Sequence, residues 1–228
     1  MTRRLATTTL LLLLALGTVP DQATAATGPT VDQLVQGIQA YYKSKTDITV
    51  DFHQVIVKPA TGRKLKARGT IYYKHPNRFY WYQLRPDKLH YVSDGTVFWK
   101  YQPDQNSAEK FLLKSTQLLY TIRLFFGQGD LKKGHKLSVG RRESDGAATL
   151  TLVPIDQRVY KKLTLIVDPK SFAIRETMLV DPDDNTNRIR YQRVRFDPIP
   201  ASRFRFSPES GVNVRDFTKP RRETPKKS

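Results

Sequence analysis

The chain has 228 residues, 39% of them hydrophobic, with no cysteine and 39 Lys and Arg against 21 Asp and Glu, a formal net charge of +18. Without cysteine there are no disulfides, no thiol catalysis and no thiolate metal site, and no lipid can be attached through a cysteine of the chain itself. The length and apolar content suit one domain with a core of its own.

Met1-Thr2-Arg3-Arg4, the apolar run Leu10 to Leu16 and the small residues Ala23-Thr24-Ala25 read as a secretory signal peptide over residues 1–25. The run is too short, and too interrupted by Gly17 and Pro20, for a bilayer span of about 20 residues. A soluble exported domain over residues 26–217 and a disordered basic tail over 218–228 are therefore expected, with the periplasm as the destination. For an exported chain, positive charge points to anionic membrane surfaces, acidic polysaccharide or acidic protein patches, and not to nucleic acid.

After Gly28-Pro29, Thr30 and Gln33 form a capping box for a helix from Val31 to about Lys43, with Val31, Leu34, Ile38 and Tyr41 on one face. A second helix is expected from about Ser115 to Phe126, where Leu118, Leu119, Ile122, Phe125 and Phe126 precede Gly127 and Gly129. Between and beyond these segments, period-two alternation is cut by turn residues, as in an antiparallel meander or barrel. Inward-facing candidates are Ile48, Val50 and Phe52, then Leu65, Ala67, Gly69 and Ile71, then Phe79 and Trp81, then Val97, Trp99 and Tyr101. Leu150 and Leu152, Leu163 to Val167, Ile174, Met178 and Val180, Ile189 and Tyr191, and finally Phe204 and Phe206 continue the series. About ten or eleven strands result, and a sheet of that width must curl.

Aromatic residues crowd Gly69 to Pro103, which reads as an apolar lining more than a catalytic pocket. His53, His75, His90 and His135 lack metal-binding spacing and read as scattered surface imidazoles, no serine sits in G-x-S-x-G, and no phosphate-loop or dinucleotide fingerprint occurs. Asp181, Asp183 and Asn185 match the start of a calcium loop, but Thr186 and Gln192 replace its required Gly and Glu, so a hairpin turn is expected there. Ser93-Asp94-Gly95 is likewise a turn. Neither an enzyme nor a bound cofactor is indicated.

In order and spacing, Phe52-His53-Gln54, Gly69-Thr70-Ile71, Lys74 to Phe79, Val92 to Gly95, Trp99-Lys100-Tyr101 and Phe204 to Pro208 resemble the periplasmic outer-membrane lipoprotein carrier (LolA) family, from about residue 30 to 217. The resemblance implies a mainly β fold, an unclosed antiparallel barrel whose hydrophobic concavity is covered by a helical lid. It also implies a monomeric carrier that accepts acylated lipoproteins from an inner-membrane ABC transporter and hands them to an outer-membrane acceptor. On that basis Phe52, Ile71, Phe79, Trp81, Trp99, Tyr101, Leu165 and Met178 line the cavity. Leu118, Leu119, Ile122, Phe125 and Phe126 form the lid, and His75 stands at the rim where the family commonly has Arg. Histidine titrates near neutrality and arginine does not, so the family's Arg role does not carry over directly. Two other readings stay open: a lipid, glycolipid or lipoprotein-sensing module on the same scaffold, and an exported hydrolase, for which no nucleophile signature is present.

Overall fold

The computed structural model describes residues 28–115, 130–140 and 145–218. Helix α1 (Val31–Lys43) begins where the capping box places it: Thr30 Oγ1 accepts from the Gln33 N–H at 3.2 Å and Gln33 Oε1 accepts from the Thr30 N–H at 2.8 Å. Among the described residues twelve strands follow. The first meander comprises β1 (Asp47–Lys58), β2 (Arg63–Lys74), β3 (Arg78–Arg85), β4 (Leu89–Ser93), β5 (Val97–Gln102) and β6 (Ser107–Leu112). The second comprises β7 (His135–Val139), β8 (Ala148–Pro154), β9 (Lys162–Val167), β10 (Ile174–Val180) and β11 (Thr186–Arg195), and β12 (Asn213–Asp216) comes last.

These strands form one sheet in the order β12-β6-β5-β4-β3-β2-β1-β11-β10-β9-β8-β7. The long β1 joins the two meanders, pairing antiparallel with β2 on one side and β11 on the other. The sheet is not closed, because β7 and β12 end it at opposite edges.

Turn chemistry sets the hairpins. Asp94 Oδ1 accepts from the N–H groups of Thr96 and Val97 at 2.8 and 2.9 Å, and Gly95 supplies φ +104°. The Asp181–Asn185 cluster is also a turn: Asp181 Oδ1 accepts from the N–H groups of Asp183 and Asn185, both at 2.9 Å.

One face of the sheet is concave and holds the core, and α1 lies across its β7–β11 half. Leu34, Val35, Ile38 and Tyr42 point into the sheet, and the Tyr42 hydroxyl accepts from the buried Ile174 N–H at 3.2 Å. Gly37 is required where the helix meets Phe172, whose ring lies 2.3 Å from where a Cβ would stand. With no side chain at that point the helix settles onto the ring.

The end of the chain departs from the expected pattern. Phe204 and Phe206 do not sit on a final strand; they belong to a segment that leaves β11 and crosses the outer, convex face through a 3-10 turn at Ala201–Phe204. The Asp47 carboxylate anchors this segment by accepting from the Ile199 N–H at 3.0 Å while also pairing with Lys74 at 2.5 Å. Burial pulls the Asp47 pKa upward, but the hydrogen bonds from Lys74, Ile199 and Thr46 outweigh it, and the net shift is downward. Further along, the Arg203 guanidinium lies over the Tyr72 ring at 4.7 Å and Phe204 is buried. Having crossed, the chain adds β12 to the sheet edge, parallel to β6.

Candidate functional site

The site is the part of the concave face that α1 does not cover. Its floor follows from register, since residues directly opposite one another in neighbouring strands share a face. Val50 pairs with Ile71 and Ile71 with Trp81; Trp81 pairs with Tyr91 and Phe79 with Ser93; Phe98 pairs with Phe111. Phe52 lies opposite Gly69, and the missing side chain there leaves room for the Phe52 ring to reach Trp81, with centroids 4.3 Å apart. The rings continue toward the sheet edge through Phe79–Phe98 at 5.9 Å, Tyr91–Phe98 at 5.7 Å and Phe98–Phe111 at 5.8 Å. At the edge Phe217 stacks on Phe111 at 4.9 Å and 8°, still 53% exposed.

On the neighbouring strands β1, β10 and β11, polar atoms of the same face satisfy one another. Gln54 Nε2 donates to Asn187 Oδ1 at 2.9 Å, and the Thr177 and Tyr191 hydroxyls lie 3.1 Å apart. On β2 to β6 the inward side chains are mainly apolar, with Ile71, Phe79 and Phe98 buried and Trp81, Tyr91 and Phe111 half-buried. Towards β12 the character changes: Lys100 pairs with Glu109 at 3.1 Å, and Arg215 approaches the same carboxylate at 3.9 Å. Lys100 lies opposite Tyr91, so this charged cluster borders the aromatic floor. Burial raises the Tyr91 pKa and the Glu109 carboxylate adds to the rise, so the phenol stays neutral.

The residues expected to line a cavity do not all share one face of the sheet. Phe52, Ile71, Phe79 and Leu165 are buried on the concave face, and Trp81 packs half-buried against them. Trp99 and Tyr101 point the other way. Phe98 takes the inward place on β5, while Trp99 and Tyr101 lie against Phe206 of the crossing segment at 5.3 and 5.0 Å. With aromatics on both faces of β5, alternation could not tell which side was inward. Met178 is also reversed, because an irregularity between Ile174 and Glu176 shifts the register and places Thr177 and Leu179 opposite the buried Leu165 and Leu163. Met178 pairs with Thr164 on the outer face.

The lid residues Leu118, Leu119, Ile122, Phe125 and Phe126 lie outside the described residues. His75 sits exposed in the β2–β3 turn, its N–H donating to the Thr46 carbonyl at 2.7 Å. The buried Tyr73 hydroxyl donates to the Pro76 carbonyl at 2.9 Å, tying that turn to the edge of the concavity. Two other histidines are not surface imidazoles: His90 is half-buried among Tyr80, Tyr82 and Tyr101, and His135 lies 2.6 Å from the Tyr160 hydroxyl. Sequence reasoning did not place Tyr91, Phe98, Phe111 and Phe217 in the lining. Reading Pro103 to Asn106 as a hairpin turn would have set Phe98 opposite Phe111 and recovered two of them.

The fold is mainly β: a broad, unclosed antiparallel sheet with one packed helix and an aromatic inner face on β2 to β6. The family described as "Outer membrane lipoprotein carrier protein LolA" matches residues 43–207, and the chain belongs to it. The "Outer-membrane lipoprotein carrier protein" of Proteus mirabilis is 24% identical over 181 residues, covering 79% of this chain and 87% of that one. Its counterpart in Bordetella avium is 26% identical over 179 residues, covering 78% and 84%. Among solved structures, an uncharacterized conserved protein from Thermus thermophilus shares the fold with a TM-score of 0.52 at 12% identity, over 81% of this chain and 98% of that one.

Proposed function

We propose that this protein is a periplasmic carrier, not an enzyme, that holds the acyl chains of lipoproteins in its aromatic hollow. In this reading it takes them as a monomer from an inner-membrane ABC transporter and delivers them to an outer-membrane acceptor. The observation that supports the proposal is the half-buried state of Trp81, Tyr91 and Phe111 beside the buried Ile71, Phe79 and Phe98 on the inner face of β2 to β6. Such a surface gains little from water and much from a hydrocarbon chain.

Acyl chains gain about 0.8 kcal/mol per buried CH₂. Three long chains fully enclosed would gain on the order of tens of kcal/mol, too much for release. An open sheet avoids this by covering the chains incompletely. The Lys100–Glu109–Arg215 cluster stands at the polar end of the hollow, where a cargo's glycerol and peptide portion is accommodated more easily than its hydrocarbon.

Mass spectrometry of protein recovered from the periplasm tests the reading: co-purified acylated lipoprotein is expected. Phospholipid or glycolipid alone would make the protein a lipid shuttle, and an empty hollow under conditions that load other family members would overturn the proposal. His75 is assigned the rim role, and His75→Arg is expected to alter the rate of loading or release. Unchanged transfer would remove that role while leaving the carrier reading intact.

A further inference from the structure

The outer face of the sheet is divided between a covered end and a bare one. Near Asp47 the crossing segment lies over β2 to β5 through Arg203, Phe204 and Phe206. At the opposite end, cross-strand register builds rows of outward side chains. Arg188 and Lys66 flank Val55 in one row, and Arg190 and Arg68 flank His53 in the next. In a third row Lys162 and Lys64 bracket Val180 and Val57. All six of these cations are exposed.

The carboxylate within these rows is Glu176, which binds Arg188 at 2.8 Å and Arg190 at 3.2 Å. Among the described residues, Lys64, Lys66, Arg68 and Lys162 have no carboxylate partner. Strands lie about 4.8 Å apart, so cations flanking a single strand are roughly 10 Å from each other, close to the screening length at 0.1 M salt. The rows therefore repel one another until counter-charge is brought against them.

The size and texture of this face say what supplies that charge. From β9 to β2 it spans four strand spacings, about 19 Å. Its cations are separated by half-buried valines and not by the aromatic anchors on which protein interfaces concentrate their energy, and lysine is depleted in such interfaces. A plane of headgroup phosphates matches spread cations without needing a pocket. We propose that the bare end of the outer face docks this protein on the anionic phospholipid headgroups of a membrane. The hollow lies on the opposite side of the sheet, so docking leaves it free.

This inference does not use the cargo reading, because a chain that carried nothing would still dock. The test is flotation of the full chain with phosphatidylcholine vesicles, with and without about one third phosphatidylglycerol, from roughly 0.05 to 0.5 M salt. Binding is expected only to the anionic vesicles and is lost at the high-salt end. K64Q/K66Q/R68Q is expected to weaken it by about fivefold per cation, roughly a hundredfold in all. K88Q/K133Q/R158Q removes the same charge from exposed positions elsewhere and is expected to bind as the wild type does. Should the first variant not fold, Lys66→Gln and Arg68→Gln singly, at about fivefold each, decide instead. Equal loss in both triple variants, or no preference for anionic vesicles, overturns the proposal. Binding to native inner-membrane vesicles but never to protein-free anionic lipid would assign the face to an acidic protein and overturn it as well.

Discussion

Two halves of one concave face are finished differently. Under α1, strands β7 to β11 present Leu150, Leu152, Leu163 and Leu165, each 0% exposed, and the helix returns Leu34 and Ile38, also at 0%. From β2 to β6 the lining is aromatic; Tyr73, Phe79 and Phe98 are buried, but Trp81, Tyr91 and Phe111 remain half-buried. Branched aliphatics closed off by a helix contribute to folding stability, since all of their surface leaves water when the chain folds. On the proposed function, rings left partly uncovered hold back some of that gain for a second event, the arrival of a ligand. On that proposal, the contrast separates residues that keep the protein folded from residues that take up cargo.

Substitutions in the two halves should therefore move different observables. Leu165→Ala, in the closed half, is expected to cost about 2–5 kcal/mol in urea unfolding, with the affinity of the remaining folded protein for an acylated lipopeptide unchanged. In the open half, Phe111→Ala should weaken that affinity about tenfold, roughly 1.4 kcal/mol, measured by fluorescence titration, and should lower stability less than Leu165→Ala does. Comparable losses of affinity from both substitutions would erase the division.

A smaller effect is expected at the β9–β10 turn, which presents Phe172 to α1. The Ser171 N–H holds the Asp168 carboxyl down at about 2 against the upward pull of burial, with the Lys170 N–H and the Arg175 guanidinium adding to the lowering. A carboxylate with a depressed folded pKa stabilises the protein above its unfolded value near 4, and the contribution is lost as pH falls toward 2. Asp168→Asn should cost about 1 kcal/mol at pH 7, discounted for solvent screening, and melting curves of variant and wild type should converge between pH 4 and about 2. The smallest effect belongs to Trp99→Ala. Because Trp99 packs on Phe206 behind the sheet, lipopeptide affinity should not change, and a tenfold loss would place it in the hollow after all.

How much of this was legible in the sequence depended on whether a signal was local. The capping box at Thr30 and Gln33 and the aspartate turns at Asp94 and Asp181 act over a few residues, and they located α1 and the hairpins. Period-two alternation placed Phe52, Ile71, Phe79, Trp81 and Leu165 on the correct face, because each has polar or smaller neighbours to contrast with. It failed at Trp99 and Tyr101, whose burial comes from Phe206, more than 100 residues away in the chain. At Met178 it failed for another reason: a register irregularity inverts parity and leaves no mark in residue type. β12 is four residues, Asn213–Asp216, with Val214 as its one large apolar side chain, so nothing in its sequence announced a strand.

The strands at the two ends of the sheet, β7 and β12, never meet. In a sealed barrel the diameter is fixed by strand number and shear, and widening it means breaking the ladder. Without that seal, curl is a soft coordinate: a few degrees of twist at each of many neighbouring pairs can loosen or tighten the trough with every backbone hydrogen bond kept. On the proposed function, such a container would widen around a bulky passenger and recoil when the passenger leaves. Strain held while it was full would then favour unloading, and the missing seam would act as a built-in spring.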